Sequence, residues 1–294
     1  MKLFLVYLSL FGMLNLLGCD SDLEQSKPEV ITSEQAANPK TEGLVLAVHP
    51  YDIPSKVQLH FQPILNYLSQ TLGQKVSLYV ATSYEDQIRQ IATGKVDFAY
   101  LGPSSFIKAR DNYVDDSGRK VQAIATEKPY QGAVVVHKDS QMNSLQDLKN
   151  HSFAFGSYYS YAGHFVIREA LKENGVRLAD LQLYSFLGRH ERAVLSVAYG
   201  DFDAAATTLG IADRMQALKY PVKVIYTSKL LAPIVLVAGP QVDSVLVNKI
   251  KKLLLNPSFE GQEMITMFAP GGSFFPYDEG VYEEVRKTVA LFEQ

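Results

Sequence analysis

Ala92-Thr93-Gly94-Lys95-Val96-Asp97-Phe98-Ala99 and Ala198-Tyr199-Gly200-Asp201-Phe202-Asp203-Ala204-Ala205 are two versions of one pattern. Each reads as the end of a helix, a glycine where the chain turns back, and a strand carrying Asp and Ala at the same offsets. The pattern occurs twice with no shorter repeat, which predicts two similar α/β lobes and not a solenoid. Ligands of open α/β sheets collect beyond the carboxyl ends of the strands, so two facing lobes would share one cleft.

The same alternation extends in both directions. Residues 44–48 form a continuous apolar run, as in a buried parallel strand. Val57, Phe61, Ile64, Leu65, Leu68 and Leu72 recur at helical spacing up to Gly73. A strand is expected at 76–80, and Ser83 with Asp86 reads as a capping box opening a helix that ends at Gly94. The strand at 96–101 runs into a Gly102-Pro103 turn. Beyond Pro129 the expectation is a strand at 132–137, a short helix capped by Ser144 and Asp147, and a strand at 152–155. A helix at 163–173 stops at Gly175, followed by strand 183–187, helix 189–199 and strand 202–206. Two more strands, 222–226 and 234–238, precede a mainly helical end from Val242 onward. Strands alternating with helices indicate parallel sheets with covered faces.

The single cysteine, Cys19, follows Leu16-Leu17-Gly18. Lys2 and the apolar stretch 3–17 resemble a secretory signal, and Leu16-Leu17-Gly18-Cys19 resembles a bacterial lipobox. The alternative is an ordinary signal with a chance cysteine. On the lipobox reading, 1–18 is a signal peptide and Cys19 carries the lipid. Residues 19–42, polar and without periodicity, then form a flexible tether. The protein is expected outside the cytoplasm, on the periplasmic face of the inner membrane in a Gram-negative cell, and the Cys19 lipid is its only membrane contact. The formal net charge of −3 and the lack of a basic stripe speak against nucleic acid. A hydrophobic content of 47% is enough to fill a sizeable core.

Four stretches, in order, carry a family resemblance: Pro50-Tyr51, 94–103, Gly188-Arg189-His190-Glu191-Arg192-Ala193-Val194, and 200–205. Over 43–292 the chain resembles the substrate-binding proteins of phosphonate-, phosphite- and phosphate-type ABC importers. The resemblance implies an α/β, type II periplasmic-binding-protein fold, with two lobes joined by two crossover strands and a ligand cleft between them. It divides the chain into lobe 1, residues 43–131 and 236–294, and lobe 2, residues 132–235, with the crossings near 130–136 and 231–237. It further implies hinge closure around a small oxyanion, an ABC permease as partner, and no cofactor, metal or enzymatic activity. A sensory lipoprotein reporting to a membrane receptor is the alternative.

The site residues follow from the same resemblance. Ser160-Tyr161-Ala162-Gly163 stands where the family has a Ser-Thr-Ser-Gly-like turn opening a helix, whose free N–H groups and dipole suit an anion. Ser160 keeps the first hydroxyl, Tyr161 substitutes a larger one and Ala162 has none, so Ser157 or Tyr158 are candidates for the missing donors. Tyr51, Tyr100 and Ser104 are expected to face the cleft from lobe 1, and His190 from lobe 2. Asp203 would pair with a ligand ammonium group or, like Asp97, tie a strand entrance. His164 is a further candidate anion donor, and Tyr158, Tyr159 and Tyr161 could form a cage for a quaternary amine. The sequence contains no His-Glu-x-x-His, Walker A, Gly-x-Ser-x-Gly or Gly-x-Gly-x-x-Gly motif.

Overall fold

The computed structural model describes residues 43–113, 118–269 and 271–293. The expected signal peptide, Cys19 lipidation site and tether lie outside the described residues. Lobe 1 begins with β1 (Leu44–Val48), α1 (Pro54–Leu72), β2 (Val76–Val80), α2 (Tyr84–Ala92), β3 (Phe98–Leu101), α3 (Pro103–Asp111) and β4 (Gln122–Thr126). The second sheet is built from β5 (Tyr130–His137), β6 (Ser152–Phe155), α4 (Val166–Glu173), β7 (Leu183–Phe186), α5 (His190–Ala198), β8 (Ala204–Thr208), α6 (Leu209–Ala217) and β9 (Val222–Leu231). The chain then returns to the first sheet through β10 (Val235–Ala238) and ends in α7 (Ser244–Leu255), α8 (Phe259–Phe268) and α9 (Glu279–Ala290).

The strand orders are β2-β1-β3-β10-β4 and β7-β6-β8-β5-β9. They are the same arrangement used twice. In each sheet a parallel trio is followed by an antiparallel strand that enters from the other sheet, β10 or β5, and then by an outer strand, β4 or β9, from which the chain leaves. Both central strand pairs meet alanine to alanine, Ala47 with Ala99 and Ala154 with Ala205. The chain passes between sheets at 127–129 and 232–234, and the Glu127 amide donates to the Ile234 carbonyl at 3.0 Å, joining the two passages.

The repeated sequence pattern acquires a physical reason here. Gly94 and Gly200 both take positive φ, +67° and +83°, which glycine adopts without strain. Asp97 Oδ2 accepts from the Val45 amide at 2.9 Å at the start of β1. Asp203 Oδ2 accepts from the Ser152 amide at 2.9 Å at the start of β6. Each aspartate therefore ties the entrance of its own strand to that of the neighbouring parallel strand.

Amphipathic helices cover both faces of each sheet. The apolar stripe of α1 buries Val57, Phe61, Ile64, Leu65 and Leu68, each contributing about 1.5–3 kcal/mol on burial. Pro63 is tolerated within that helix although it removes one backbone donor.

Several local expectations change. The Gly102-Pro103 turn opens α3, because proline at the first helical position sacrifices an N–H that has no partner there. Ser83 accepts from the Asp86 amide, but Asp86 does not close a capping box; its carboxylate takes the Tyr79 hydroxyl and the Thr82 amide. The helix at Ser144–Asp147 is only a 3-10 turn at Gln146–Leu148. Strand β4 and helix α6 are additional elements.

Candidate functional site

A cavity of about 670 Å³ lies between the sheets, within the range of small-ligand sites. Residues at the carboxyl ends of strands line it: His49 after β1, Gly102 after β3 and Thr208 at the end of β8. Tyr84 and His190 enter as the first residues of α2 and α5. The passage between lobes contributes Glu127, Lys128 and Pro129.

Ser160 is the hub of one wall. It N-caps a π-helical turn, Tyr161–Phe165, that continues into α4. Its Oγ accepts from the Gly163 amide at 3.0 Å and lies 3.1 Å from His190 Nε2. The Tyr84 phenol neighbours the same side chain, which offsets part of the rise that burial gives it. The amides that open such a helix have no intrahelical acceptor, so they and Ser160 present donors where the dipole favours negative charge. Gly163 makes the packing possible: a Cβ there would fall 2.7 Å from His190 Cε1 and 2.9 Å from Ser160 Oγ.

Burial holds most of the wall uncharged. It lowers the His190 imidazole to about 4 and raises the Tyr161 phenol to about 12. The Tyr51, Tyr84 and Tyr100 phenols are also pushed up, chiefly by burial. Burial raises the Glu127 carboxyl to about 7; Tyr100 offsets part of this, and Oε1 has no partner.

The mouth is charged and self-paired. Arg214 Nη2 from α6 lies 2.7 Å from Asp52 Oδ2, and Lys56 Nζ from α1 lies 3.0 Å from Glu191 Oε1. Burial would raise Asp52, but hydrogen bonds from Glu191 and the Ile53 amide, with the Arg214 charge, hold it low. Burial and then Asp52 push Glu191 up. Both ion pairs join the lobes, as does the Ser104 hydroxyl donating to the Tyr159 carbonyl at 2.6 Å.

Of the expected site residues, Tyr51, Tyr100, Ser160, Tyr161 and His190 line the cavity. Gly163 stands behind it as the contact surface for His190. Ser104 and Ser157 are buried outside the lining; Ser157 Oγ accepts from the Tyr159 amide at 3.3 Å. Asp203 is also outside, tying β6 at the opposite strand end, so its geometry favours the structural role over the ammonium-pairing one. His164 turns Nδ1 to the Tyr158 carbonyl at 2.7 Å, among Phe155, Phe165 and Phe186. The expected tyrosine cage is not assembled: only Tyr161 of the three reaches the cavity, and Tyr158 packs on His164.

Sequence reasoning missed His49, Tyr84, Glu127, Asp52 and Arg214. Tyr84 carried a usable signal, since it precedes Gly94 by the same interval that separates His190 from Gly200. The Ser160–His190 contact does not form a catalytic triad, because His190 Nδ1 lacks the orienting partner that mechanism needs. Among the described residues no cluster of three or more His, Cys, Asp or Glu could hold a metal ion, and no helix is long and apolar enough to cross a membrane.

Residues 46–272 match the family model described as "ABC transporter, phosphonate, periplasmic substrate-binding protein". The chain is 24% identical over 242 residues to the phosphate-import protein PhnD of Mycolicibacterium smegmatis, covering 77% of this chain and 74% of that one. It is 28% identical over 159 residues to the phosphonates-binding periplasmic protein of Escherichia coli, covering 52% and 47%. The fold resembles that of PhnD1 from Prochlorococcus marinus, solved in complex with methylphosphonate, with a TM-score of 0.76 at 20% identity, covering 84% and 97%. These relatives are substrate-binding proteins, not enzymes, and the chain shares their two-lobed fold. It belongs to the family of periplasmic phosphonate substrate-binding proteins of ABC transporters.

Proposed function

We propose that this chain is a lipid-anchored solute-binding protein that captures a small oxyanion, of phosphonate, phosphite or phosphate type, and delivers it to an ABC importer. The observation that carries this reading is the Ser160 hub: a capped helix start, an imidazole and a phenol converge on one wall of the cavity. Hydrogen bonds to a charged acceptor contribute about 1.5–3 kcal/mol each, and micromolar affinity requires about −8 kcal/mol net. Three or four such bonds suffice after the cost of ordering the lobes.

Hinge closure supplies the rest of the mechanism. The passages at 127–129 and 232–234 act as the hinge, and the Asp52–Arg214, Lys56–Glu191 and Ser104–Tyr159 contacts close with it. Closure excludes water and fixes the donors around the anion; the permease releases the ligand by parting the lobes. The relatives that bind methylphosphonate or import phosphate support a tetrahedral oxyanion as ligand. The lipid on Cys19 and the tether at 19–42 keep the binding lobes close to the membrane.

Thermal-shift titration with methylphosphonate, phosphite, phosphate and sulfate tests the ligand class. A true ligand at 100 times its Kd stabilises by about 2.7 kcal/mol. The reading is abandoned if no tetrahedral oxyanion raises the midpoint. Anchoring is tested separately: Cys19→Ser is expected to move the protein from the membrane to the soluble fraction.

A further inference from the structure

Three imidazoles line the cavity, His49 and His60 from one lobe and His190 from the other. His190 belongs to the oxyanion wall already described. His49, on the opposite lobe, is 6% exposed, lines the cavity and leaves Nδ1 without a partner. Its ring packs 4.4 Å from Tyr84, the phenol beside Ser160, and 5.5 Å from Tyr51. The neighbouring Tyr100 backbone favours its charged form and offsets part of the lowering by burial. A buried nitrogen without a partner is costly, which calls for something to bond it when the site is filled.

His60 and Asp213 also line the cavity; His60 packs 5.0 Å from Phe268, and burial, then the Arg214 charge, lowers it. Arg214 and Lys56 are engaged by Asp52 and Glu191 at the mouth. Glu127 lies at the passage between lobes, where burial raises it and Tyr100 and Lys128 offset part of the rise. The facing phenols, Tyr51 and Tyr84, stay neutral. His49 feels His190 directly: burial, then the His190 charge, lowers it to about 3, and burial lowers His190 to about 4. Both rings are therefore neutral in the empty cavity at neutral pH, and both can become positive.

We propose that His49 is a second imidazole ligand of the oxyanion, opposing His190 across the cleft, and that the pair takes up protons from solution as the anion enters. The proposal rests on the oxyanion reading above and adds a residue and a selectivity to it. A dianion between two neutral imidazoles raises the proton affinity of both, so binding strengthens as pH falls. A fixed monoanion such as a sulfonate gains less from the pair, which makes His49 a determinant of preference for dianionic ligands.

Calorimetry of the whole protein with methylphosphonate and methanesulfonate, in buffer pairs of different ionisation heat, reads proton uptake directly. At about pH 8.5, where methylphosphonate is a dianion, the parent is expected to take up about one proton or more, and His49→Gln clearly less, with affinity weakened about tenfold. Methanesulfonate is expected to bind more weakly and to lose less on His49→Gln. Nitrogen-15 spectra of the parent need no variant to fold: His49 is expected as neutral imidazole alone and as imidazolium in the methylphosphonate complex. A His49 ring that stays neutral at saturation, or proton uptake and affinity unchanged in His49→Gln, overturns the proposal while leaving the oxyanion site standing. Failure of every oxyanion to bind the parent overturns both.

Discussion

The first helix of each lobe starts at an equivalent place, and the two starts are built for opposite ends. Ile53 caps α1 and Ser160 caps the helix running into α4; they lie 107 positions apart, matching the interval between Val45 and Ser152 in the tied strands. Ile53 offers no side-chain acceptor, and Pro54 follows without an N–H. The Ile53 amide is already bonded by Asp52 Oδ1 at 2.7 Å. At the other start, Ser160 gathers the Gly163 amide, His190 and Tyr84 around an open cavity wall. The shared architecture thus provides two possible anion cradles, and local sequence leaves one of them open. Lobe 1 fills its own helix start with a carboxylate, which then holds Arg214 of lobe 2.

The strongest way to break this contrast is to make the second start resemble the first. Ser160→Ile removes the hub and is expected to weaken methylphosphonate binding at least 100-fold by calorimetry, since two or more bonds of about 1.5–3 kcal/mol are lost. Retained affinity would mean that the helix start is not the cradle. Gly163→Ala keeps the hydroxyl but drives a methyl into His190, and a loss of about 30-fold is expected, mostly as faster dissociation. Asp52→Asn frees Arg214, while Lys56 keeps Glu191, without touching the wall; an affinity loss of about fivefold is expected, because partly exposed pairs contribute about 1 kcal/mol.

The pH response separates lobe 2 from the hinge. His190 and His164, held at about 4 against an ordinary 6.5, are neutral in the fold but charge readily once unfolded. Their contribution is complete above 6.5 and is lost as pH falls toward 4, so the melting temperature is expected to drop across that window. His164→Gln should flatten part of the drop. Glu127 has the opposite sign: raised to about 7 from 4.5, its contribution is present below 4.5 and lost as pH rises through 7. Glu127→Gln is expected to remove that second decline. The smallest effect on binding belongs to the tying aspartates. Asp97→Asn and Asp203→Asn should each cost about 1 kcal/mol of stability in denaturant melts, with Kd unchanged within about twofold. A large loss of affinity in Asp203→Asn alone would restore its ligand role.

These contrasts show which features were legible in the chain. The repeated Gly-x-x-Asp pattern was readable because a left-handed glycine and a strand-tying carboxylate are local requirements. Helix α6 was hidden by Leu209-Gly210, which reads as a loop until Thr208 caps it, accepting from the Ile211 amide. Strand β4, Gln122-Ala123-Ile124-Ala125-Thr126, has an alanine-rich composition that favours no strand by itself and is held by pairing with β10. At the site, Ser160, Tyr51, Tyr100, Tyr161 and His190 were found through family position. His49, Glu127 and Arg214 were not, because which side chain at a strand end or crossing faces the cavity depends on how the two sheets meet. For Asp203 the sequence left an ammonium partner and a strand tie open, and its place at the amino end of its strand favours the tie.

Helix α9 returns from lobe 1 to touch lobe 2. The Thr288 hydroxyl donates to Glu169 at 3.1 Å, Lys229 pairs with Glu284, and the Arg168 guanidinium lies 4.5 Å over the Phe292 ring. Through Phe292 the tail is therefore a brace shared by both halves. Phe292→Ala removes the ring under Arg168 and loosens that brace, so it should change the rate at which ligand dissociates.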